Sequence, residues 1–438
     1  MNLPPARNTL VACPDARPPA YQAVIGLDQA GLLDRFLTGA YYRGTSKLLQ
    51  FAGRLAPKPW AKVERVLNRR RDAEIPSERV EAAWGFDAAI QLENRLSGRW
   101  SSSRRRVARW RTRHFDRILA GVIKRRRPGT LFAFSDVASE FSLPLCRDLG
   151  IPSILSMVHG DVREEKLVLE REAECSPDFF PIYLGDGVLD PDELDWLHQR
   201  RLRDLEFADR ILVPSDHIAN TLARYGTPRQ RIEVVPYAAD TRRFLPDPAK
   251  IHDSSCTFLF AGGITQRKGI KYLLEAWREI KRPGWRLQLL GALPKDERPL
   301  EGYLDDVEVL GRVGHSEMPG RMAQADVFVF PSLFEGSAVV TYEALACGLP
   351  SIVTPEAGSV VRDGSEGFIV PSGDSLSLAA AMERLGSDAE LRAQFAGSAR
   401  ERSLAFDWPR YHASVLTALS TVIGEDHVNS LTRELQWN

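Results

Sequence analysis

The chain alternates short unbroken apolar runs with longer stretches whose apolar positions recur at helical spacing. In its first half the runs are NTLVAC at Asn8, TLFAFS at Thr130, PSILSMV at Pro152, RILVPS at Arg210 and RIEVVPY at Arg231. Such runs read as buried strands, and strands alternating with helices predict a parallel α/β sheet. A second series begins with CTFLFAGG at Cys256 and continues through WRLQLLG at Trp285, VEVLG at Val307, DVFVFPS at Asp326, PSIVT at Pro350 and GFIVP at Gly367. Helical stretches such as IKYLLEAWREI at Ile270 and AVVTYEALACG at Ala338 stand between these runs. The loop-like stretch 237–255, with Pro246 and Pro248, marks a linker. The pattern therefore predicts two Rossmann-like domains, 1–236 and 256–405, facing each other across a cleft, with a last segment 406–438. Open parallel sheets bind ligands beyond the carboxyl ends of their strands, which makes the cleft the expected site.

At 438 residues the chain has room for two or three domains. Its 44% apolar and 26% charged residues exclude collagen-like, mucin-like and wholly disordered classes. The net charge is zero but unevenly spread. Up to Arg127 there are 26 Lys/Arg against 11 Asp/Glu, leaving 32 against 47 for the rest, so the first third is about +15 and the remainder about −15. Only the N-terminal part favours an anionic surface. The five cysteines are scattered without CxxC spacing, so neither a disulfide framework nor a metal site is expected. There is no apolar signal-like run at the start and no stretch of 18 apolar residues, which predicts a cytoplasmic chain, or one resting on the inner face of a membrane.

The segment 41–127 departs from the alternation and reads as a basic insert. It carries Trp60, Trp84, Trp100 and Trp110 among basic clusters at 69–71, 104–106 and 124–127. From Arg99 to Arg127 there are twelve Lys/Arg and one acid, Asp116. Trp, Phe and Leu on one side of a helix with Arg on the other suit a membrane interface. A solvated basic helix has the same composition, and a nucleic-acid surface is the least favoured of the three readings.

The stretch from Phe330 to Pro350, FPSLFEGSAVVTYEALACGLP, carries the most chemistry. A strand stops at Pro331, Glu335 and Gly336 form a turn, and an apolar helix is predicted from about Ser337 to Gly348. Glu335 is then expected at a helix N-terminus, where free N–H groups favour anions. Glu343 falls inside the apolar helix, where a carboxylate is costly without a partner. Eight positions at about 1.5 Å each put the two acids roughly 12 Å apart, the span of a nucleotide sugar from hexose to ribose. The loop AGGITQRKG from Ala261 places Gly262, Gly263, Arg267 and Lys268 between a strand and a helix, where glycine N–H groups and two cations suit a phosphate. Taken alone, these acids also fit a helix cap and a buried salt bridge.

Together these residues resemble the signature of glycosyltransferase family 4, in which two glutamates separated by seven residues are followed by Gly-x-Pro and a further strand. The loop from Ala261 resembles the family's Gly-Arg-Leu-(three residues)-Lys-Gly loop, whose Arg and Lys clamp the donor diphosphate. Lys268 falls on the lysine, Gly263 stands where the arginine is usual, and Arg267 supplies the charge. GRV at Gly311, with Arg312 and Val313, resembles the segment whose backbone receives the nucleobase. FDWPRY at Phe406 resembles the start of a final helix that crosses back onto the first domain. His159, after the strand at Pro152, resembles the histidine that contacts the donor sugar. The fit is specific from about Ala208 onward and poor over 41–130.

The resemblance implies the GT-B fold and a retaining transfer of a hexose-type sugar from a nucleotide-diphosphate donor to a saccharide or lipid-linked acceptor. Synthesis of cell-surface polysaccharide or glycolipid would be its setting, with the acceptor on the N-terminal domain. It implies catalytic roles for Glu335, His159 and Lys268, and donor contacts from Gly262, Gly263, Arg267, Lys268, Arg312, Val313, Gly336, Ser337, Ala338 and Glu343. No cofactor beyond the donor, no metal and no nucleic acid are expected, since fixed cations hold the phosphate. A nucleotide-sugar epimerase and a catalytically silent sugar-nucleotide binder are the competing readings. A dehydrogenase is disfavoured because no GxGxxG follows the first strand.

Overall fold

The computed structural model describes residues 9–15, 18–42, 70–95, 101–185, 191–250 and 254–423. Two wholly parallel sheets organise them. The first holds β1 (Thr9–Ala12), β2 (Leu33–Thr38), β3 (Val80–Ala82), β4 (Thr130–Phe134), β5 (Ser153–Ser156), β6 (Arg210–Val213) and β7 (Ile232–Val234) in the order β3-β2-β1-β4-β5-β6-β7. The second holds β8 (Cys256–Ala261), β9 (Trp285–Leu290), β10 (Glu308–Val309), β11 (Val327–Phe330), β12 (Ser351–Val353) and β13 (Gly367–Ile369) in the order β10-β9-β8-β11-β12-β13. Both orders reverse beside the first strand of their sheet, between β1 and β4 and between β8 and β11. These are the crevices where doubly wound sheets take ligands.

Every apolar run expected as a strand forms one, because a run buried on both faces suits only a strand flanked by helices. Two further strands appear. β2, LDRFLT, places two charged side chains in its middle, and Asp34 is held by Arg126 at 2.7 Å. β3 is a three-residue edge strand paired with β2. The expected basic insert is thus part of the domain: it supplies β3, the helix Trp84–Arg95 and the helix Ser101–Arg126, which leads into β4.

The apolar side of Ser101–Arg126 faces inward, with Phe115, Leu119, Val122 and Ile123 buried in the core. Its arginines largely meet the protein's own acids: Arg111 is 3.3 Å from Glu93, Arg113 2.9 Å from Glu140 and Arg125 3.2 Å from Glu81. Trp84 and Trp110 remain exposed, whereas Arg69, Trp60 and Trp100 lie outside the described residues. Among the described residues no helix is long and apolar enough to cross a membrane.

The chain passes between the domains twice, side by side. Ala239 donates its N–H to the carbonyl of Phe406 at 3.1 Å. The helix Trp408–Ile423 then lies on Pro18–Gln29 of the first domain, with Tyr411 donating to the carbonyl of Pro19 at 3.1 Å and the His412 ring 2.7 Å from Gln22. Glu172 fastens the domains elsewhere: fully buried on the helix Val162–Cys175, it accepts from Gln266 at 2.6 Å and Tyr272 at 2.9 Å.

Candidate active site

Two loops at the carboxyl ends of β8 and β11 are laced into one unit. The carbonyl of Arg267 accepts from the N–H of Leu333 at 2.9 Å and from the Ser332 hydroxyl at 3.2 Å. Gly269, with φ +75°, caps the helix Ile270–Ile280 and packs so closely that a Cβ would stand 2.0 Å from the carbonyl oxygen of Pro331. Only glycine meets both demands. Gly269→Ala should therefore cost about 2 kcal/mol or more of stability, read from denaturant unfolding.

This lacing delivers Arg267 and Lys268 to Glu335. Lys268 is ion-paired and hydrogen-bonded to Glu335, and Arg267 lies 3.2 Å from the same carboxylate oxygen. Burial pushes the Glu335 carboxyl up, but Lys268 and then Arg267 outweigh it and hold the group below the ordinary carboxylate range. The cations thus gather at one acid instead of lying midway between the two glutamates. Gly262 donates its N–H to the carbonyl of Leu290 at 3.0 Å, while a Cβ on Gly263 would meet nothing nearer than the Thr265 methyl at 3.6 Å. Position 263, where the family's arginine is usual, is sterically open.

The helix after β11 begins later than its sequence suggests, at Val339, and ends at Ala346. Gly336, Ser337 and Ala338 precede it in non-helical backbone, because the Ser337 hydroxyl donates to the carbonyl of Gly358 at 2.7 Å and the Ala338 N–H to that of Ala357 at 3.1 Å. Glu335 therefore sits in the loop before the helix, not at its first turn. The helical spacing applies only to the second half of the interval between the acids.

Glu343 lies elsewhere on the same surface. It lines an interdomain cleft of about 780 Å3 together with Arg243, His315 and Val339 from one side and Tyr21 and Gln22 from the other. Among the described residues its carboxylate has no hydrogen-bond or ion-pair partner although it is buried. Burial pushes it up to about 7, and Arg243 offsets only part of this. A group so placed is completed by a ligand that donates hydrogen bonds. Arg312 is exposed and Val313 half-buried on the loop after β10, and neither reaches the cleft wall.

His159 approaches from the first domain. Its Nδ1 lies 2.9 Å from the carbonyl of Gly160, which fixes that nitrogen as the donor, and its Nε2 lies 3.6 Å from Asp136. The segment around it abuts the Glu335 loop: a Cβ on Gly336 would stand 2.4 Å from the carbonyl oxygen of Val158, and one on Gly160 would strike the Phe334 ring at 2.6 Å. Ser215 adds a hydrogen bond to the carbonyl of Gly336 at 3.2 Å.

Behind His159 runs a chain of charges that sequence reasoning missed. Asp136, at φ +74°, pairs with Arg201 at 3.0 Å, and Arg201 pairs with Glu165 at 2.9 Å. Burial pushes the Asp136 carboxyl up, but Arg201 and His159 draw it well below the usual range. These residues come from three separate elements, so no local motif marks them. The one available signal was that Asp136 is a charged residue just beyond the carboxyl end of a buried strand.

Two doubly wound domains that close their loop ends on a shared cleft have the GT-B architecture. Residues 255–388, most of the second domain, match the family model described as "Glycosyl transferases group 1". The curated relatives include a candidate colanic acid biosynthesis glycosyltransferase, WcaL, of Escherichia coli, 33% identical over 41% of this chain and 49% of its own length. They also include the alpha-D-kanosaminyltransferase of Streptomyces kanamyceticus, 26% identical over 50% of this chain and 61% of its own. The chain spans about half the length of the curated relatives it matches first. Among solved structures, the sucrose-phosphate synthase of Thermosynechococcus elongatus superposes with TM-score 0.67 at 16% identity, covering 96% of this chain and 100% of that one. Anabaena Alr3699/HepE, solved with UDP-glucose, gives TM-score 0.60 at 15% identity over 94% and 99%. At these identities the likeness concerns the fold.

Proposed function

We propose that the protein is a retaining glycosyltransferase that moves a hexose-type sugar from a nucleotide-diphosphate donor to a saccharide or lipid-linked acceptor, in polysaccharide or glycolipid synthesis. One observation carries this reading: a buried acid gripped by two cations, Glu335 with Lys268 and Arg267, precedes by eight positions a second buried acid, Glu343, that opens unpartnered on the interdomain cleft. The group 1 match over the second domain, and the UDP-glucose held by the Anabaena neighbour, support the choice of donor class.

Departure of a diphosphate builds negative charge on its oxygens and positive charge on the sugar ring. Lys268, Arg267 and the N–H of Gly263 answer the first, and Glu335 the second. Glu343 accepts from the ribose hydroxyls, the backbone at Gly336–Ala338 faces the diphosphate, and His159 contacts the sugar. The bond from the anomeric carbon to the diphosphate breaks, a bond to the acceptor oxygen forms, and the acceptor's proton leaves with the nucleotide. Fixed cations do the work a metal would otherwise do. The reading keeps the chain on the cytoplasmic side, at the inner membrane face where the acceptor is lipid-linked.

Nucleotide release from a panel of nucleotide-diphosphate hexoses, with and without added saccharide, tests the proposal. Acceptor-stimulated release and an axial or equatorial product bond matching the donor are expected. Release without any transfer would favour the epimerase or silent-binder readings. Glu343 adds a pH signature. Ribose hydroxyls need its charged form, so binding releases a proton, and affinity for UDP-glucose should rise as pH climbs toward about 7 and level off above it. Calorimetry with wild type and Glu343→Gln checks this, since the variant should bind more weakly and show a flat profile.

A further inference from the structure

The loop that carries Arg267 and Lys268 is held from the opposite domain. Gln266, fully buried, donates its amide Nε2 to Glu172 at 2.6 Å, across ninety-four positions of chain. The N–H of Arg267 donates to the carbonyl of Tyr183 at 3.1 Å, and a Cβ on Gly185 would stand 3.1 Å from the Thr265 methyl. Lys271, in the first turn of the helix Ile270–Ile280, donates its Nζ to the carbonyl of Cys175 and to the Ser176 hydroxyl, both at 3.1 Å. The seam therefore follows the cation loop residue by residue. Of these contacts, the one at Gln266 fixes a side chain at both ends. Its Oε1 accepts the N–H of Lys271 at 3.2 Å, one of the donors that a helix start leaves without a carbonyl. A backbone N–H only donates, so this bond settles which end of the amide is oxygen and turns Nε2 toward Glu172. The other oxygen of Glu172 accepts from Tyr272 at 2.9 Å, with Arg171 at 3.5 Å.

We infer that Glu172 is a positioning residue for the donor diphosphate: acting through Gln266, it sets the pose in which the turn Gln266–Lys268 presents Arg267 and Lys268. The inference rests on the donor reading above. Gln266 opens the turn that ends in the two cations, so whatever fixes its amide fixes where their chains start. Without the carboxylate a buried amide N–H loses its acceptor, and an unpaired donor there is costly enough to turn the side chain elsewhere. The turn then shifts with it, and a shift of about one ångström is enough to spoil a grip that depends on charge and direction. Both cations belong to the second domain, yet their pose depends on a carboxylate of the first.

The test is calorimetry on the full chain with UDP, GDP, ADP and dTDP, each set against its monophosphate, which lacks the outer phosphate. Wild type should hold its tightest diphosphate at least about tenfold better than the matching monophosphate, and Lys268→Ala should narrow that gap. Glu172→Ala should narrow it by about tenfold while monophosphate affinity stays within about twofold. Glu172→Gln should keep the gap, because its oxygen still accepts from Gln266 and its amide donates to the Tyr272 oxygen, whose hydrogen turns to the Ser176 hydroxyl at 3.3 Å. Lys271→Ala, which removes contacts across the same seam but leaves the Gln266 amide its two partners, should also keep the gap. Gln266→Leu should narrow it as Glu172→Ala does, and it serves if Glu172→Ala fails to fold. An undiminished gap in folded Glu172→Ala or Gln266→Leu, a lost gap in Glu172→Gln, or an equal narrowing in Lys271→Ala each overturns the inference, while a gap that Lys268→Ala narrows leaves the donor reading standing. Wild type that binds no diphosphate, or holds it no tighter than the monophosphate, overturns both.

Discussion

Lys268→Ala is expected to lower the proposed sugar transfer by about 100-fold or more, with the larger part of the loss in kcat. The ammonium is buried against Glu335 and 4.9 Å from the centre of the Phe330 ring, in a setting where water screens little. A charge so placed can follow the negative charge that grows on a departing diphosphate, and removal of one such preorganised contact typically costs 10²- to 10³-fold. The variant also leaves Glu335 with Arg267 as its one cationic neighbour, so the protein should unfold more easily. Rates are therefore compared per folded molecule, from melts at the assay temperature. Glu335→Gln should lose at least about tenfold for the complementary reason, since the amide cannot stabilise a cationic ring. Near-normal turnover by folded Lys268→Ala would remove the lysine from the mechanism.

Gly336→Ala has the next largest expected effect, and it acts through geometry. A single methyl there meets the carbonyl oxygen of Val158 at 2.4 Å and the N–H of His159 at 2.9 Å, both from the opposite domain. Neither backbone group can yield as a flexible side chain would. The domains must part by a fraction of an ångström to about one ångström, which separates His159 from the Glu335 loop. Displacements of that size in a reacting pair cost up to about 10²-fold. The sheets themselves are untouched, so thermal unfolding should shift far less than for Gly269→Ala, whose clash lies within the second domain. Transfer that falls sharply with a nearly unchanged melting temperature is the expected pattern. Unchanged transfer would mean that the two domains do not work in this closed arrangement.

Much of the architecture was legible because strands buried on both faces leave an unmistakable apolar run. NTLVAC and CTFLFAGG each name the interior strand at which the order of a sheet reverses. LDRFLT did not announce β2, since Asp34 and Arg35 interrupt the run and are accommodated only once Arg126 and the carbonyl of Glu78 meet them. The basic helix was legible as a helix and illegible as to its surroundings: Phe115 and Leu119 look alike whether they face lipid or a sheet, and the sheet takes them. In the site, Glu335, Gly336 and Lys268 were readable because local spacing fixes them on neighbouring loops. The displaced start of the helix at Val339 was not, because the bonds that hold Ser337 and Ala338 outside the helix come from 357–358, beyond the motif. Asp136, Arg201 and Glu165 were hidden for a related reason. They meet only after the sheet has folded, across sixty-five positions of chain between the first two.

Equilibrium binding of nucleotide-diphosphate hexoses with uridine, guanosine, adenosine or thymidine as the nucleoside, measured by calorimetry on wild type, Lys268→Ala and Glu343→Ala, bears most directly on the proposal that one activated sugar spans both acids. At least one donor should bind one molecule per chain, and each substitution should weaken that same donor by about tenfold or more. If no donor binds, or if the tightest one is held by both folded variants as well as by wild type, the Lys268–Glu335 pair and Glu343 do not share a ligand.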